Sequence, residues 1–262
     1  MSTKGTALIT GASTGIGAVY ADRLAKRGYD LILVARSLDK LQNTAKRLAG
    51  ANVRIDILQA DLTNRADLAK VEQRLATDSM ITLLVNNAGT AVPGNTLDGD
   101  ADKLEQMVLL NTLAPMRLAK AAAVAFASRK NGAIINIASV LALLPEMFNG
   151  VYSSTKAFLL NLSQSLHQEL TPHGVRVQAV LPGATRTEIW DHAGTSADAL
   201  PPEMLMEVDE MVDAALRGFD LGETVTIPAL PDYGQFETMQ TARLAMSSNL
   251  SLKNAAARYK AA

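Results

Sequence analysis

The sequence predicts an α/β protein built on a doubly wound, seven-stranded and mostly parallel sheet, with helices on both faces and a single domain. Short β-branched runs alternate with helical stretches along most of its 262 residues. The strand-like runs are apolar on both faces, as in a parallel sheet that helices cover on both sides. We find no internal linker, so one domain is expected.

Seven segments have the strand pattern, and they are residues 6–10, 30–35, 53–58, 82–86, 132–138, 175–181 and 223–227. The segments between them show helical periodicity. Two regions depart from this alternation. Residues 183–205 form a long, polar, proline-bearing excursion that we interpret as a substrate loop, and residues 228–262 form a C-terminal extension without an obvious strand.

The composition excludes several classes of function. Hydrophobic residues make up 48% and charged residues 19%, which predicts a substantial core. A net charge of −1 without a basic run gives nucleic acid no electrostatic attraction. The absence of cysteine excludes disulfides and thiol catalysis, and the three histidines lack metal-ligand spacing, so no metal is expected. The strand-like N-terminus leaves no room for a signal peptide, and no apolar stretch approaches ~20 residues, so we expect a cytoplasmic protein without a membrane span.

A glycine-rich turn, TGASTGIG, joins the first strand to the first helix at residues 10–17. Glycines at this junction allow a tight turn, close backbone approach and an exposed helix N-terminus, which together form the phosphate site of a Rossmann-type dinucleotide fold. A turn of purely structural role is the alternative. The spacing here is GxxxGxG.

A tyrosine and a lysine stand four residues apart in YSSTK, at Tyr152 and Lys156, where a helical pattern begins. Positions i and i+4 share one face of a helix, so the phenol and the ammonium are expected to lie close together.

With these two motifs, the chain resembles the short-chain dehydrogenase/reductase family over nearly its whole length. The further matching motifs are Asp61 in QADLTN, NNAG at residues 86–89, Asn111 in LLNTLAP, Ser139 thirteen residues before Tyr152, Pro182 with Gly183, and Thr185 or Thr187. The resemblance implies that Asn111, Ser139, Tyr152 and Lys156 are catalytic. It also implies a cofactor site made of Gly11, Ser13, Thr14, Gly15, Ile16, Gly17, Arg36, Ser37, Asp61, Leu62, Asn87, Ala88, Gly89, Tyr152, Lys156, Pro182, Gly183, Thr185 and Thr187.

Several of these residues have alternative interpretations. Asp61 could cap the next helix, and Asn87 could satisfy backbone groups at a strand end. Asn111 could mark a helix kink ahead of Pro115, and Ser139 could cap the end of its strand.

The resemblance implies reduction of a carbonyl, or oxidation of a secondary alcohol, with Tyr152 as the acid/base group. Tyrosine titrates near 10, so the phenolate must be stabilised. We expect Lys156 and an oxidised nicotinamide to lower its pKa. An epimerase or dehydratase with the same pair, or a non-catalytic nucleotide sensor, remains open.

The end of the second strand predicts the cofactor. Arg36 and Ser37 follow Ala35, where an acid would select NAD(H) by binding the 2′-hydroxyl. Arginine offers a charged fork to a 2′-phosphate, so NADP(H) is predicted and NAD(H) is less favoured. A solvated Arg36 and a helix-capping Ser37 form the alternative, and Thr14 stands where many NADP-using relatives carry a second basic residue.

The substrate is expected to be a small molecule with an apolar carbonyl or secondary alcohol, because LALLPEMFNGV before the tyrosine and Ile189 and Trp190 are largely apolar. The extension differs from the ending typical of ketoacyl-reductase-like members, which makes an acyl-carrier-protein substrate and a tetramer doubtful. The apolar helical run around residues 101–128 favours a homodimer instead.

Overall fold

The computed structural model describes residues 4–94 and 97–260. Within these residues, seven strands form one sheet in the order β3-β2-β1-β4-β5-β6-β7, and every neighbouring pair is parallel. The strands are β1 Thr6–Thr10, β2 Asp30–Ala35, β3 Ile55–Gln59, β4 Ile81–Asn86, β5 Gly132–Ile137, β6 Val175–Val180 and β7 Val225–Thr226. The predicted fold class is therefore confirmed.

The helices in the described part of the chain alternate with the strands. They are α1 Gly15–Lys26, α2 Leu38–Arg47, α3 Arg65–Thr77, α4 Ala101–Val108, α5 Ala114–Arg129, α6 Gly150–Leu170, α7 Ile189–His192, α8 Val208–Leu221 and α9 Tyr233–Ala245. A π-helical turn, Leu109–Leu113, joins α4 to α5. The strand order reverses between β1 and β4, so a ligand cleft is expected where these two strands end.

The core has two halves, one on each face of the sheet. Successive strand residues point to opposite faces. Leu8 of β1 packs with α3, α5 and α6, whereas its neighbours Ala7 and Ile9 pack with α1, α2 and α8. Each fully buried leucine contributes about 1.5–3 kcal/mol, so both layers of helices hold the strand ends firmly in place.

The chain divides into two compact units, Met1–Pro228 and Ala229–Ala262. The first unit contains the sheet. The second contains α9 and two short 3₁₀ turns among its described residues, and it corresponds to the C-terminal extension that the sequence predicts.

One helical stretch among the described residues, Ala101–Arg129, is long and apolar enough in composition to cross a membrane. This corrects the sequence expectation that no apolar stretch approaches that length. Of its most apolar window, 44% is buried inside the protein. Because a core helix passes the same test, the stretch alone is weak evidence for a membrane span.

Candidate active site

The carboxyl ends of β1 and β4 are tied together by hydrogen bonds. The Thr10 hydroxyl accepts from the backbone N–H groups of Asn87 and Ala88, each at 3.0 Å. The Asn87 amide donates to the carbonyls of Thr10, at 2.9 Å, and Gly11, at 3.2 Å. Asn87 thus satisfies backbone groups at a strand end, as the alternative interpretation held, and in doing so it fixes the point where the strand order reverses.

The glycine turn leaves no space for side chains at two positions. A Cβ at Gly11, where φ is +66°, would lie 2.8 Å from the Asn87 amide nitrogen. A Cβ at Gly17 would lie 2.3 Å from the Gly11 carbonyl oxygen. The start of α1 is correspondingly close to the sheet and accessible to a ligand.

The N-terminus of α1 suits an anion. Thr14 precedes the helix in an extended conformation, its side chain caps none of the helix N–H groups, and no acidic residue lies in the first turn. The first N–H groups of a helix have no partner within the helix, and they bind phosphate well. The turn therefore fits the pyrophosphate of a dinucleotide cofactor.

Arg36 lies at the end of β2, at the same edge of the sheet. Its side chain is exposed, and no residue in the described ranges forms an ion pair with it. Ser37 caps α2 by accepting from the Lys40 N–H at 3.3 Å. The capping interpretation of Ser37 is therefore correct for the structure, while Arg36 remains available to a ligand.

Asp61 lies after β3 and does not cap the next helix. Asn64 caps α3, because its side chain accepts from the N–H groups of Ala66 and Asp67. The Asp61 carboxylate instead accepts from the backbone and hydroxyl of Thr63.

Three other predicted cofactor residues, Leu62, Ile16 and Ala88, differ in burial and in the half of the core that they contact. Leu62 is buried in the core half that contains α3. Ile16 and Ala88 are partly buried against opposite halves of the core.

The residues after β6 are distributed between the cofactor turn and the substrate loop. The Ser139 hydroxyl lies 3.5 Å from the Pro182 carbonyl. The side chain of Thr187 lies 3.4 Å from where a Cβ of Gly15 would stand, so Thr187 lies over the glycine turn. Thr185 is buried, and its hydroxyl donates to the Gly183 carbonyl at 3.1 Å. This geometry favours Thr187 over Thr185 as the pyrophosphate ligand.

Tyr152 occupies the first turn of α6 and is 8% exposed. The Ser139 hydroxyl is close enough to its phenol to lower the pKa of that phenol. Its ring packs edge-on against Phe148, with 5.6 Å between the ring centroids. The Ser139 hydroxyl also accepts from the Leu141 N–H at 3.2 Å, so Ser139 caps a short turn as well as facing the tyrosine.

Lys156 lies one turn further along α6 and is 5% exposed. Its ammonium donates to the Ile137 carbonyl at the end of β5, at 3.1 Å, and lies 5.6 Å from the centroid of the Tyr152 ring. The predicted pair is therefore adjacent, with the cation beside the ring and anchored to the sheet.

Asn111 lies in the π-helical turn and joins three elements. Its amide accepts from the Thr90 N–H and donates to the Thr90 carbonyl, both at 2.9 Å, and it donates to the Thr155 hydroxyl at 3.2 Å. A Cβ on Gly89 would lie 3.2 Å from the Asn111 oxygen and 3.5 Å from the Lys156 nitrogen. Both groups therefore border the same small space above Gly89. Asn111 also lies in an irregular part of the helix ahead of Pro115, as the alternative interpretation predicted. Such π-helical turns are frequent at functional sites.

The pKa of Tyr152 depends mainly on burial. Burial raises it to about 12, and the neighbouring Ser139 hydroxyl only partly opposes this effect. Burial also lowers the pKa of Lys156 to about 8. In the protein chain alone the pKa of the phenol is therefore raised, because the loss of water around it outweighs the effect of the Ser139 hydroxyl. The lowering expected from Lys156 with an oxidised nicotinamide stays a prediction.

An apolar cluster surrounds the phenol. Its buried members are Ala91, Val92, Met107 and Tyr152, and its partly buried members are Leu104, Leu141, Phe148, Val151, Ile189 and Ala193. Three of the apolar residues before the tyrosine, Leu141, Phe148 and Val151, thus meet Ile189 of the excursion where the sequence predicts a substrate pocket. Leu144 and Met147 of the same stretch are exposed instead. Trp190 instead donates its indole N–H to the Thr185 carbonyl at 2.9 Å.

The excursion is ordered into short helical turns and closed at its base. A parallel bridge pairs Thr185 with Met206, so residues 185–206 leave and return to the same point. Further along, Gly194 lies against Pro93, because a Cβ there would be 3.0 Å from the proline ring. We call residues 183–205 the substrate loop.

Sequence reasoning missed three polar residues near the site. Lys40 and Arg47 of α2 border a cleft of about 570 Å³ beside Ser13, Thr14 and Gly15. Their seven-residue spacing places them on one helix face, a signal that was readable in the sequence.

The third missed residue, Asn149, caps α6 directly before Tyr152. Asparagine at that position is a typical N-cap signal.

Comparison with known proteins agrees with this geometry. Residues 5–197 match the short chain dehydrogenase family. A glycine cradle at the strand switch point, with serine, tyrosine and lysine converging beside it, defines a nucleotide-dependent oxidoreductase of the Rossmann type. The chain belongs to the short-chain dehydrogenase/reductase family.

Two solved structures resemble the whole chain. A short-chain dehydrogenase from Sphingobium yanoikuyae in complex with NADPH is 50% identical, with a TM-score of 0.95, covering 98% of this chain and 100% of that one. A bulky-bulky ketone specific alcohol dehydrogenase from Comamonas testosteroni is 46% identical, with a TM-score of 0.91, covering 98% and 99%.

A curated relative matches more distantly. A very-long-chain 3-oxoacyl-CoA reductase from Podospora anserina is 36% identical over 185 residues, which is 68% of this chain. The match spans 54% of that reductase, so the chain covers about half the length of this relative.

Replacing Lys156 by methionine should change how stability depends on pH. Burial lowers the folded-state pKa of Lys156 to about 8, whereas an exposed lysine in the unfolded chain titrates near 10.5. Between these values the unfolded chain binds more protons, so the wild-type free energy of unfolding gains a component that rises with pH. In Lys156→Met that component is absent. The free energy of unfolding of wild type minus that of the variant should therefore increase by about 2–3 kcal/mol between about pH 7 and about pH 10.

Urea denaturation at both pH values measures this difference. Lys103→Met, at an exposed lysine of α4, is the control and should follow the wild-type pH dependence. Parallel stability curves for wild type and Lys156→Met would show that the Lys156 ammonium is not buried as described.

Proposed function

We propose that the protein is an NADP(H)-dependent oxidoreductase that transfers a hydride between nicotinamide and an apolar ketone or the corresponding secondary alcohol. The observation that carries this proposal is the Tyr152 phenol. It lies near the Ser139 hydroxyl and beside the buried Lys156 ammonium, and it belongs to an apolar cluster at the edge of the sheet that holds the glycine cradle.

A bound nicotinamide would supply the hydride chemistry. The turn at residues 10–17 and the N-terminus of α1 would hold its pyrophosphate, with Thr187 beside them. The Ser139 hydroxyl donates a hydrogen bond to the substrate oxygen. Tyr152 gives its proton to that oxygen in reduction and takes a proton from the alcohol in oxidation.

Lys156 acts on the proton held by Tyr152. With a pKa of about 8, its ammonium is mostly protonated at neutral pH. A nearby positive charge favours the phenolate and opposes the burial that raises the tyrosine pKa. Asn111 fixes the loop between β4 and α4 against α6, which keeps the space above Gly89 open beside the ammonium.

The substrate class follows from the residues around the phenol. Side chains from the loop after β4, from α4, from the segment before α6 and from the substrate loop are all apolar in the cluster around Tyr152. A ketone with large apolar substituents on both sides of the carbonyl would bury most surface there. The similar alcohol dehydrogenase from Comamonas testosteroni, specific for bulky-bulky ketones, supports this choice.

The preference for NADP(H) rests on positive charge near the end of β2. Arg36 is exposed and has no ion-pair partner in the described part of the chain, and Lys40 and Arg47 border the cleft beside the glycine turn. Lys40 pairs with Glu188 of the same cleft at 3.0 Å, so Arg36 and Arg47 carry the proposal in the absence of a basic residue at Thr14. The NADPH bound to the similar enzyme from Sphingobium yanoikuyae also supports the proposal.

A homodimer remains a prediction, as does a cytoplasmic location. Val124 of α5 is 61% exposed and Phe158 of α6 is 41% exposed. These apolar side chains support self-association through the outer surfaces of α5 and α6.

Tyr152→Phe should abolish turnover and leave affinity for NADPH nearly unchanged. The ring would still pack against Phe148, but the transferable proton would be lost, and such a loss lowers the rate by ~10²–10⁴-fold. Steady-state kinetics and cofactor fluorescence titration measure the two quantities. Tyr20→Phe removes a buried hydroxyl that has no hydrogen-bond partner among the described residues, so it is the matched control and should keep wild-type turnover. Retention of more than about a tenth of the rate by Tyr152→Phe would refute the acid/base assignment.

Ala35→Asp combined with Arg36→Leu should reverse the cofactor preference. The aspartate accepts from a 2′-hydroxyl and repels a 2′-phosphate, while the arginine that would bind the phosphate is gone. The ratio of kcat/KM for NADPH to that for NADH should fall by about 10- to 100-fold. Arg54→Leu, at another exposed arginine, should leave the ratio unchanged. Wild-type preference for NADH, or an unchanged ratio in the double variant, would contradict the proposal.

A further inference from the structure

We propose that Asn149 is a positioning residue that couples docking of the substrate loop to the helical turn that carries Tyr152. The proposal rests on the acid/base role of Tyr152 given above. Asn149 is 5% exposed and lies three residues before the tyrosine. Its side chain uses both of its polar atoms within the protein.

The first half of the coupling is the helix cap. The Asn149 side-chain oxygen accepts from the Val151 N–H at 2.9 Å and from the Tyr152 N–H at 3.1 Å. The backbone of the tyrosine itself is therefore held by this amide. Aspartate and serine cap helices about as well as asparagine, so a cap alone does not require an amide here.

The second half of the coupling is the side-chain N–H₂ group of Asn149, which takes no part in capping the helix. The Asn149 side-chain nitrogen donates to the Gly94 carbonyl at 2.8 Å. Gly94 belongs to the loop after β4, in which Ala91 and Val92 pack in the apolar cluster with Tyr152. One planar group thus joins the wall of the pocket to the turn that holds the phenol.

The wall of the pocket also receives the substrate loop. Gly194 approaches Pro93 so closely that an added Cβ would lie 3.0 Å from the ring, and its φ of +76° favours glycine as well. Ile189 and Ala193 of the same loop pack against the cluster that includes Tyr152. The contacts therefore run without interruption from Gly194 through Pro93 and Gly94 to Asn149 and Tyr152.

Catalysis by a positioned proton donor is sensitive to small displacements of that donor. When the loop docks on Pro93, Gly94 is held in place, and the Asn149 amide keeps the Tyr152 turn in register with the pocket wall. Loss of the Asn149 donor leaves α6 capped but removes the hydrogen bond that joins the Tyr152 turn to Gly94.

The test separates the link from the cap. Asn149→Ser and Asn149→Asp retain a capping oxygen and remove the donor to Gly94, while Asn149→Ala removes both. Asn64→Ser, at the N-cap of α3, makes the same change at a helix without this link. Each variant is assayed with NADPH and a bulky apolar ketone for kcat, KM, NADPH dissociation constant, melting temperature and solvent deuterium isotope effect on kcat.

The coupling predicts that Asn149→Ser and Asn149→Asp lower kcat by about 5- to 10-fold, while the NADPH dissociation constant and the melting temperature stay close to wild type. The solvent isotope effect should increase, because proton transfer from a displaced phenol becomes slower relative to the other steps. Asn64→Ser should leave kcat and the isotope effect unchanged. Wild-type kcat and isotope effect in both Asn149→Ser and Asn149→Asp would overturn the proposal and leave Asn149 as a cap only.

A double-mutant cycle tests the path through Pro93. Gly194→Ala should displace the loop, because its Cβ meets the proline. If the contacts form one path, Asn149→Ser lowers kcat less in the Gly194→Ala background than in wild type. Additive effects would show that the two sites act separately and would overturn the coupling. Tyr152→Phe is measured in parallel: an active Tyr152→Phe refutes the proposed function, whereas an inactive one with an unaffected Asn149→Ser refutes only the coupling.

Discussion

The burial of a phenol and an ammonium on neighbouring turns of α6 constrains the whole site. A charged lysine that is 5% exposed needs a firm partner, and the Ile137 carbonyl at the end of β5 supplies it at 3.1 Å. This bond fixes the N-terminal part of α6 to the centre of the sheet. Tyr152 is held one turn earlier, and Ser139 reaches it from the segment that follows the same strand.

The cofactor cradle depends on the same sheet edge through a different contact. Asn87 closes the gap between β1 and β4 by binding two carbonyls of the glycine turn. Gly11 and Gly17 permit that approach because they carry no Cβ. The cofactor cradle and the Lys156 anchor are therefore positioned by the ends of neighbouring strands in the sheet.

The fold was predictable because its signals are local and repeated. The strands at residues 6–10 and 30–35 coincide with the predicted segments, since continuous apolar runs between glycines and helices leave little choice. β7 is shorter than predicted, at Val225–Thr226, because its pairing with β6 extends over only two residues, which no local pattern reveals.

The site was predictable where a residue's chemistry stands in its own motif. The spacing of Tyr152 and Lys156 indicated one helix face, and the structure places them there. The direction of the tyrosine pKa was not predictable, because it depends on how much water the apolar cluster excludes. The second bond of Asn149 was equally hidden, since its partner Gly94 lies 55 positions earlier in the chain.

We propose that the protein reduces a bulky apolar ketone with NADPH, or oxidises the corresponding alcohol with NADP⁺. The most direct measurement follows the absorbance of reduced nicotinamide when purified protein is mixed with NADPH and a ketone that carries two large apolar substituents, with the alcohol product quantified in parallel. We predict a loss of NADPH that equals the alcohol formed, and much slower loss with a small ketone of the same reactivity. Binding of NADPH without any such loss, across apolar ketones and in the reverse direction with their alcohols, would contradict the account and favour an epimerase, a dehydratase or a nucleotide sensor.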